Sequence, residues 1–124
     1  VKDEVDVGTD TTWIKRGGDG YAPFQEHYGF AFNSIKPMQI GLVYDALKSK
    51  KLDVALGYTT DGRIAAYDLV VLEDDKKFFP TYDASAVAPN KLLKEQPEVR
   101  KALNKLNDKI STEQMQKLNY EADG

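Results

Sequence analysis

This sequence predicts an α/β fold, a three-layer sandwich around a mostly parallel sheet, on three observations. Val54 to Tyr58 is an unbroken apolar run of strand type that breaks into the polar loop Thr59-Thr60-Asp61-Gly62, the grammar of a buried parallel strand. Ahead of it, Ile40, Val43, Tyr44 and Leu47 stand at i, i+3, i+4, i+7, an amphipathic helix. Val5 and Val7 alternate with acidic residues, the pattern of a further short strand. Strands alternating with helices put the helices on the faces of a parallel sheet. Ligands of such sheets bind at the C-terminal edge of the strands, where the loop after Tyr58 falls.

The remaining elements follow in order. Gly8 to Thr12 reads as a polar loop leaving the first strand, and Gly17-Gly18-Asp19-Gly20 as a turn. Tyr21, Phe24 and Tyr28 lie on one face of a short helix with Gly29 as its C-cap. Phe30 to Phe32 is a brief strand. The helix begun at Ile40 closes on Lys48, Lys50 and Lys51, cations that suit the negative end of the helix dipole. Leu69 to Leu72 is a second apolar strand run, ended by the solvated charges Glu73 to Lys77. Phe78 to Asp83, interrupted by Pro80, is a crossing segment, and Ala84 to Ala88 a further strand. Pro89 opens a helical tail in which Val99, Ala102, Leu103 and Leu106 repeat a helical face. Ser111 and Gln114 make a capping box, Ile110 and Met115 a hydrophobic staple, and Met115 and Leu118 turn the last helix inward.

With 124 residues the chain is one domain, residues 1–124, large enough to bury a core without staples. It has no cysteine, which excludes disulfides and thiolate metal sites and leaves the redox compartment open. A net charge of −3 with both signs interspersed argues against nucleic acid as a partner. No apolar stretch approaches the ~18 residues of a membrane span, and no leader pattern is present. A start at Val1 without methionine and an end at Gly124 straight after a helical pattern read as an excised domain, so the missing leader says nothing of a parent protein.

The candidate site residues each carry two readings. Tyr58 is either a rim aromatic packed on a helix or a ring facing a cleft. Tyrosine faces suit a bound cation, which electron-rich rings attract. Thr59, Thr60 and Asp61 close the loop by side-chain turns or meet a ligand; Asp61 beside Arg63 reads as a local ion pair, and Gly62 as a backbone requirement such as positive φ. Arg16 is either a bidentate partner for a ligand carboxylate or a solvated cation beside Lys15, and Trp13 either a packing residue or part of a cleft rim. His27, the only histidine, has neither a second histidine nor a cysteine to share a metal with, and no nucleophile elbow accompanies it. Gly17 to Gly20 lacks phosphate-loop and dinucleotide spacing. No cofactor is expected.

The chain resembles a known family along nearly its whole length. The motifs are Trp13-Ile14-Lys15-Arg16 with Asp19-Gly20-Tyr21, His27-Tyr28-Gly29-Phe30, Pro37-Met38-Gln39-Ile40-Gly41-Leu42-Val43-Tyr44-Asp45-Ala46, Asp53 to Ile64, Phe78-Phe79-Pro80 with Tyr82-Asp83, and Leu118-Asn119-Tyr120-Glu121. In this order they resemble substrate-binding proteins of ABC importers for the osmoprotectants glycine betaine, carnitine and choline. The resemblance implies one lobe of a type II periplasmic-binding-protein fold, most of lobe two and none of lobe one, without the crossover strand and helix that enter it. It implies a tyrosine cage to which Tyr58 and Tyr82 contribute, with further tyrosines outside this chain, and ligand contacts from Thr59, Arg16 and Trp13. It implies a non-enzymatic, extracytoplasmic receptor at the cell membrane, a lipoprotein or fused to its permease, whose partners are a small quaternary-ammonium ligand and the ABC permease. An open sheet edge would let the isolated domain self-associate. A small α/β enzyme domain and the ligand-sensing domain of a regulator are the alternatives.

Overall fold

The computed structural model describes residues 5–83 and 85–123. Among them, β1 (Asp6–Thr9), β2 (Ser34–Pro37) and β3 (Val54–Ala55) form one sheet in the order β2-β1-β3, every pair parallel. Helices α1 (Thr11–Lys15) and α2 (Tyr21–Tyr28) connect β1 to β2, and α3 (Ile40–Lys48) connects β2 to β3. The register pairs Val7 with Ile35 on one side and with Val54 on the other. The predicted α/β class with a parallel sheet is therefore observed, and all three strand C-termini lie along one edge.

Packing explains where the elements depart from the sequence reading. Gly8 and Thr9 belong to β1 rather than to a loop: a Cβ on Gly8 would come 2.3 Å from Leu52 Cδ1, so the absent side chain admits the leucine against the strand. Phe30 and Phe32 are not a strand. Their rings join Phe24 at centroid distances of 5.9 and 6.0 Å, and pairing begins only at Ser34. Only Val54 and Ala55 of the run to Tyr58 are laddered, although the Leu56 amide still donates to the Gly8 carbonyl at 2.9 Å. Leu69 to Leu72 is not a strand either; Leu69 packs on the core, while Val70 is 84 % exposed and pairs with no strand among the described residues. Residues 85–88 are irregular, and Ala84 lies outside the described residues.

The core is Val43, Tyr44 and Ile64, with Met38, Ile40, Ala55, Tyr67 and Leu69 packed around them. Helix α3 therefore docks by the face its periodicity marks. A short helix α4 (Gly62–Ala66) supplies Ile64. The tail forms α5 (Asn90–Glu95), α6 (Pro97–Asn104) and α7 (Thr112–Asp123). Helices α5 and α6 pack on each other and bury no residue completely. The Ser111–Gln114 capping box is formed, at 2.8 Å from the Ser111 amide to Gln114 Oε1 and 3.2 Å in return. Helix α7 lies on α4 with Met115 half-buried, but Leu118 does not turn inward: it is exposed, and the fully buried residue of the helix is Gln116.

Gly62 is a glycine for proximity rather than for backbone conformation. Its φ is not positive, and a Cβ there would stand 2.5 Å from the Tyr120 backbone nitrogen. Gly62→Ala should push α7 off α4 and destabilise the fold by about 1–3 kcal/mol. Gly17→Ala, where a Cβ meets nothing within 4 Å, should be nearly neutral. Thermal unfolding of the two variants checks the contrast.

Candidate functional site

The C-terminal edge of the sheet carries two separately anchored groups of candidate residues. The first grows from β1. Asp10 caps α1, its carboxylate accepting from the Thr12 and Trp13 amides at 2.8 and 2.9 Å. The cap turns Trp13 inward, where it is 4 % exposed against Tyr21 and Phe24, both at 5.7 Å, and Phe79 at 6.5 Å. Its indole N–H donates to the Asp19 carbonyl at 2.7 Å. Trp13 is thus a packing residue that fixes the turn after α1. Gly20 completes the turn, since a Cβ there would fall 1.9 Å from the Arg16 carbonyl oxygen.

Asp19 then gathers two of the candidates. Its Oδ2 accepts from Arg16 Nη1 at 3.3 Å and from the Tyr82 hydroxyl at 2.8 Å. Tyr82 is 66 % exposed, so its hydroxyl is tied while its ring stays open. The segment bearing Tyr82 is itself clipped by Asp74. This carboxylate takes the Phe78 and Phe79 amides at 2.9 and 2.8 Å, and the Tyr28 hydroxyl as well. Phe78 and Phe79 in turn pack on Phe24 at 5.4 and 6.0 Å. Asp74, read from the sequence as part of a solvated charge run, is an organiser of the crossing segment. His27 belongs to the same seam, its Nε2 2.9 Å from the Lys76 carbonyl.

The second group follows β3. Tyr58 is 56 % exposed, and its amide donates to the Tyr44 hydroxyl at 2.9 Å. The Asp61 amide returns to the Tyr58 carbonyl at 3.0 Å, closing a turn. Asp61 and Arg63 form the expected local ion pair at 2.7 Å; Arg63 also donates to the Gly41 carbonyl at 2.7 Å and lies over the Tyr44 ring at 4.4 Å. Thr59 is exposed, and its carbonyl accepts from Gln116 Nε2 at 2.6 Å, while Asn119 Nδ2 reaches the Thr60 carbonyl at 2.8 Å.

Trp13, Arg16 and Tyr82 are therefore joined through Asp19, whereas Tyr58 and Thr59 are held by Tyr44 and α7. Two open depressions border α7, one between Ile110, Lys117 and Leu118 and one between Arg63, Tyr67 and Tyr120; neither includes Tyr58 or Tyr82. Among the described residues no three His, Cys, Asp or Glu side chains converge on a metal position. Sequence reasoning missed Asp19, Tyr44 and Gln116 as supports. Asp19 sat inside a recognised turn and Tyr44 on a recognised helix face, but hydroxyl and carboxylate partners leave no periodic trace.

Charge follows this geometry. The Tyr82 hydroxyl and then Arg16 hold the Asp19 carboxyl below its ordinary value, and the same hydrogen bond pushes the Tyr82 phenol up. Hydrogen bonding to Arg63 likewise lowers Asp61. Because the folded Tyr82 value is raised, its stabilising contribution is complete below the unfolded value of about 10 and is lost as pH rises through the folded one. Asp19→Asn should return Tyr82 toward about 10, read as the difference in phenolate absorbance between chains with and without Tyr82→Phe.

The family described as the substrate-binding domain of ABC-type glycine betaine transport systems matches residues 1–124. The carnitine transport binding protein OpuCC of Listeria monocytogenes strain 10403S is 59 % identical over 124 residues, all of this chain and 40 % of that protein. The ergothioneine transport permease/ergothioneine binding protein EgtU of Helicobacter pylori strain G27 is 39 % identical over 118 residues, 95 % of this chain and 21 % of that protein. A crystal structure of a glycine betaine/carnitine/choline ABC transporter superposes with a TM-score of 0.90 at 63 % identity, covering 99 % of this chain and 45 % of that one. The chain thus spans less than half the length of these relatives. They are transport proteins, which sets the enzymatic alternative aside. No described helix is long and apolar enough to cross a membrane. The chain belongs to the family of substrate-binding domains of ABC-type glycine betaine transport systems.

Proposed function

We propose that this chain supplies one lobe, lobe two, of a solute receptor that binds quaternary-ammonium osmolytes in a tyrosine cage and presents them to an ABC permease outside the cytoplasm. The observation that carries the reading is the state of two phenol rings. Tyr58 and Tyr82 are both more than half exposed in loops tied to the C-terminal edge, one through its amide and one through its hydroxyl. Each is anchored at a point that leaves its π face available to a cation. Carnitine, glycine betaine and ergothioneine, named for the relatives, all carry a trimethylammonium group, and rings rather than hydrogen-bond acceptors are its natural partners.

Arg16 is the candidate for a ligand carboxylate. Asp19 takes one of its donors at 3.3 Å, and the rest of the guanidinium is free to make a bidentate contact. Trp13 acts from behind by fixing the turn that carries Arg16 and Asp19. Thr59 borders Tyr58 on the exposed side of its loop. The α5–α6 pair, which buries no residue completely, supports the reading that a further body of protein packs against this lobe. Closure of two lobes on the ligand would then complete the cage and create the form that the permease recognises.

In a protein carrying this chain together with the remainder its relatives possess, Tyr58→Ala should weaken binding of glycine betaine and choline by about tenfold or more, and Tyr58→Phe much less. One aromatic wall contributes roughly 0.5–2 kcal/mol to a bound cation. Titration calorimetry decides, and equal affinity for wild type and Tyr58→Ala would remove Tyr58 from the site.

A further inference from the structure

The ring of Tyr58 is exposed, so its place is set by the backbone that carries it. That backbone is gripped from two sides. Below, the Tyr58 amide reaches the buried Tyr44 hydroxyl at 2.9 Å. Above, two side chains of α7 take the next two carbonyls: Gln116 Nε2 at 2.6 Å from the Thr59 oxygen and Asn119 Nδ2 at 2.8 Å from the Thr60 oxygen. Gln116 is 8 % exposed, an unusual place for a long polar side chain unless its amide has a specific partner. The contact between α7 and α4, with Tyr120 seated over Gly62, fixes the helix that presents both amides. Gln116 and Asn119 stand three residues apart on one face of α7, and their two acceptors are consecutive in the loop, so together they set both its height and its orientation.

We infer that Gln116, with Asn119 beside it, is a positioning residue for the ligand: through the Thr59 and Thr60 carbonyls, α7 holds the Tyr58 ring at the attitude a trimethylammonium group requires. The inference rests on the reading of Tyr58 as a cage wall. Removing the donor leaves the Thr59 carbonyl without its partner from α7 and lets the loop relax away from the helix, so binding falls although no ligand contact has been deleted.

The test is a double-mutant cycle in the full-length protein, with glycine betaine and choline as probes in titration calorimetry. Gln116→Met keeps the length of the side chain and loses the donor; it should weaken binding about fivefold or more. The loss should persist in a Tyr82→Ala background and vanish in a Tyr58→Ala background, because the residue acts through Tyr58 alone. Wild-type affinity in Gln116→Met, or an equal loss in both backgrounds, overturns the positioning role while leaving the cage intact. Wild-type affinity in Tyr58→Ala instead overturns the cage reading and this inference with it. If circular dichroism shows Gln116→Met unfolded, Asn119→Leu, half-buried on the same face, carries the same cycle through Thr60 with the same deciding outcomes.

Discussion

The hydroxyl of Tyr44 is the contact on which the C-terminal edge of the sheet depends. Its ring belongs to the core with Val43 and Ile64, yet its oxygen emerges at the strand end to receive the Tyr58 amide at 2.9 Å. Everything around it is fitted to that crossing. A Cβ on Gly57 would lie 2.9 Å from the same oxygen, so the chain leaving β3 passes the tyrosine only as glycine. Arg63 covers the ring at 4.4 Å while neutralised by Asp61. A buried hydroxyl without a partner would be costly, so the bond ties loop position to core integrity.

The opposite side of the edge works by a different chemistry. Among the described residues, aromatic rings from Trp13 to Phe79, His27 included, form a continuous cluster between α1, α2 and the crossing segment. The cluster is anchored by two carboxylates rather than by a hydrophobic core alone: Asp74 organises the backbone of the segment, and Asp19 fixes its outermost tyrosine. Rigid rings support a rigid edge, while the phenol that faces outward is held by a single charged group. One tyrosine is thus steered by its main chain and the other by its side chain.

Much of this was legible in the sequence, and the failures have a common cause. The amphipathic period from Ile40 to Leu47, the Ser111–Gln114 box and the left-handed Gly29 cap, at φ 73°, are local rules and were read correctly. Local apolar runs misled where partners were lacking. Val70 and Leu72 look like a strand but have no described strand to pair with, and Phe30 and Phe32 spend their rings on Phe24 instead of on a ladder. The exposed loop tyrosines were visible as residues following strand-like and crossing segments. Their supports were not, because Asp19 meets Tyr82 across a separation of 63 residues and Gln116 meets Thr59 across 57. Polar contacts of that span obey no period that a single sequence displays.

The long span between Gln116 and Thr59 also bears on the order in which the molecule is assembled. During synthesis from the N-terminus, β1, β2, β3 and α4 are complete well before α7 exists. The sheet and its core can collect themselves early, through Tyr44 and Ile64, while the loop after β3 still lacks the helix that caps its carbonyls. Closing so wide a loop carries an entropic cost that only the later α4–α7 packing offsets. The domain therefore acquires its shape before the loop after β3 is fixed, and a nascent chain halted anywhere short of Gln116 would present Tyr58 on a loop held by Tyr44 alone.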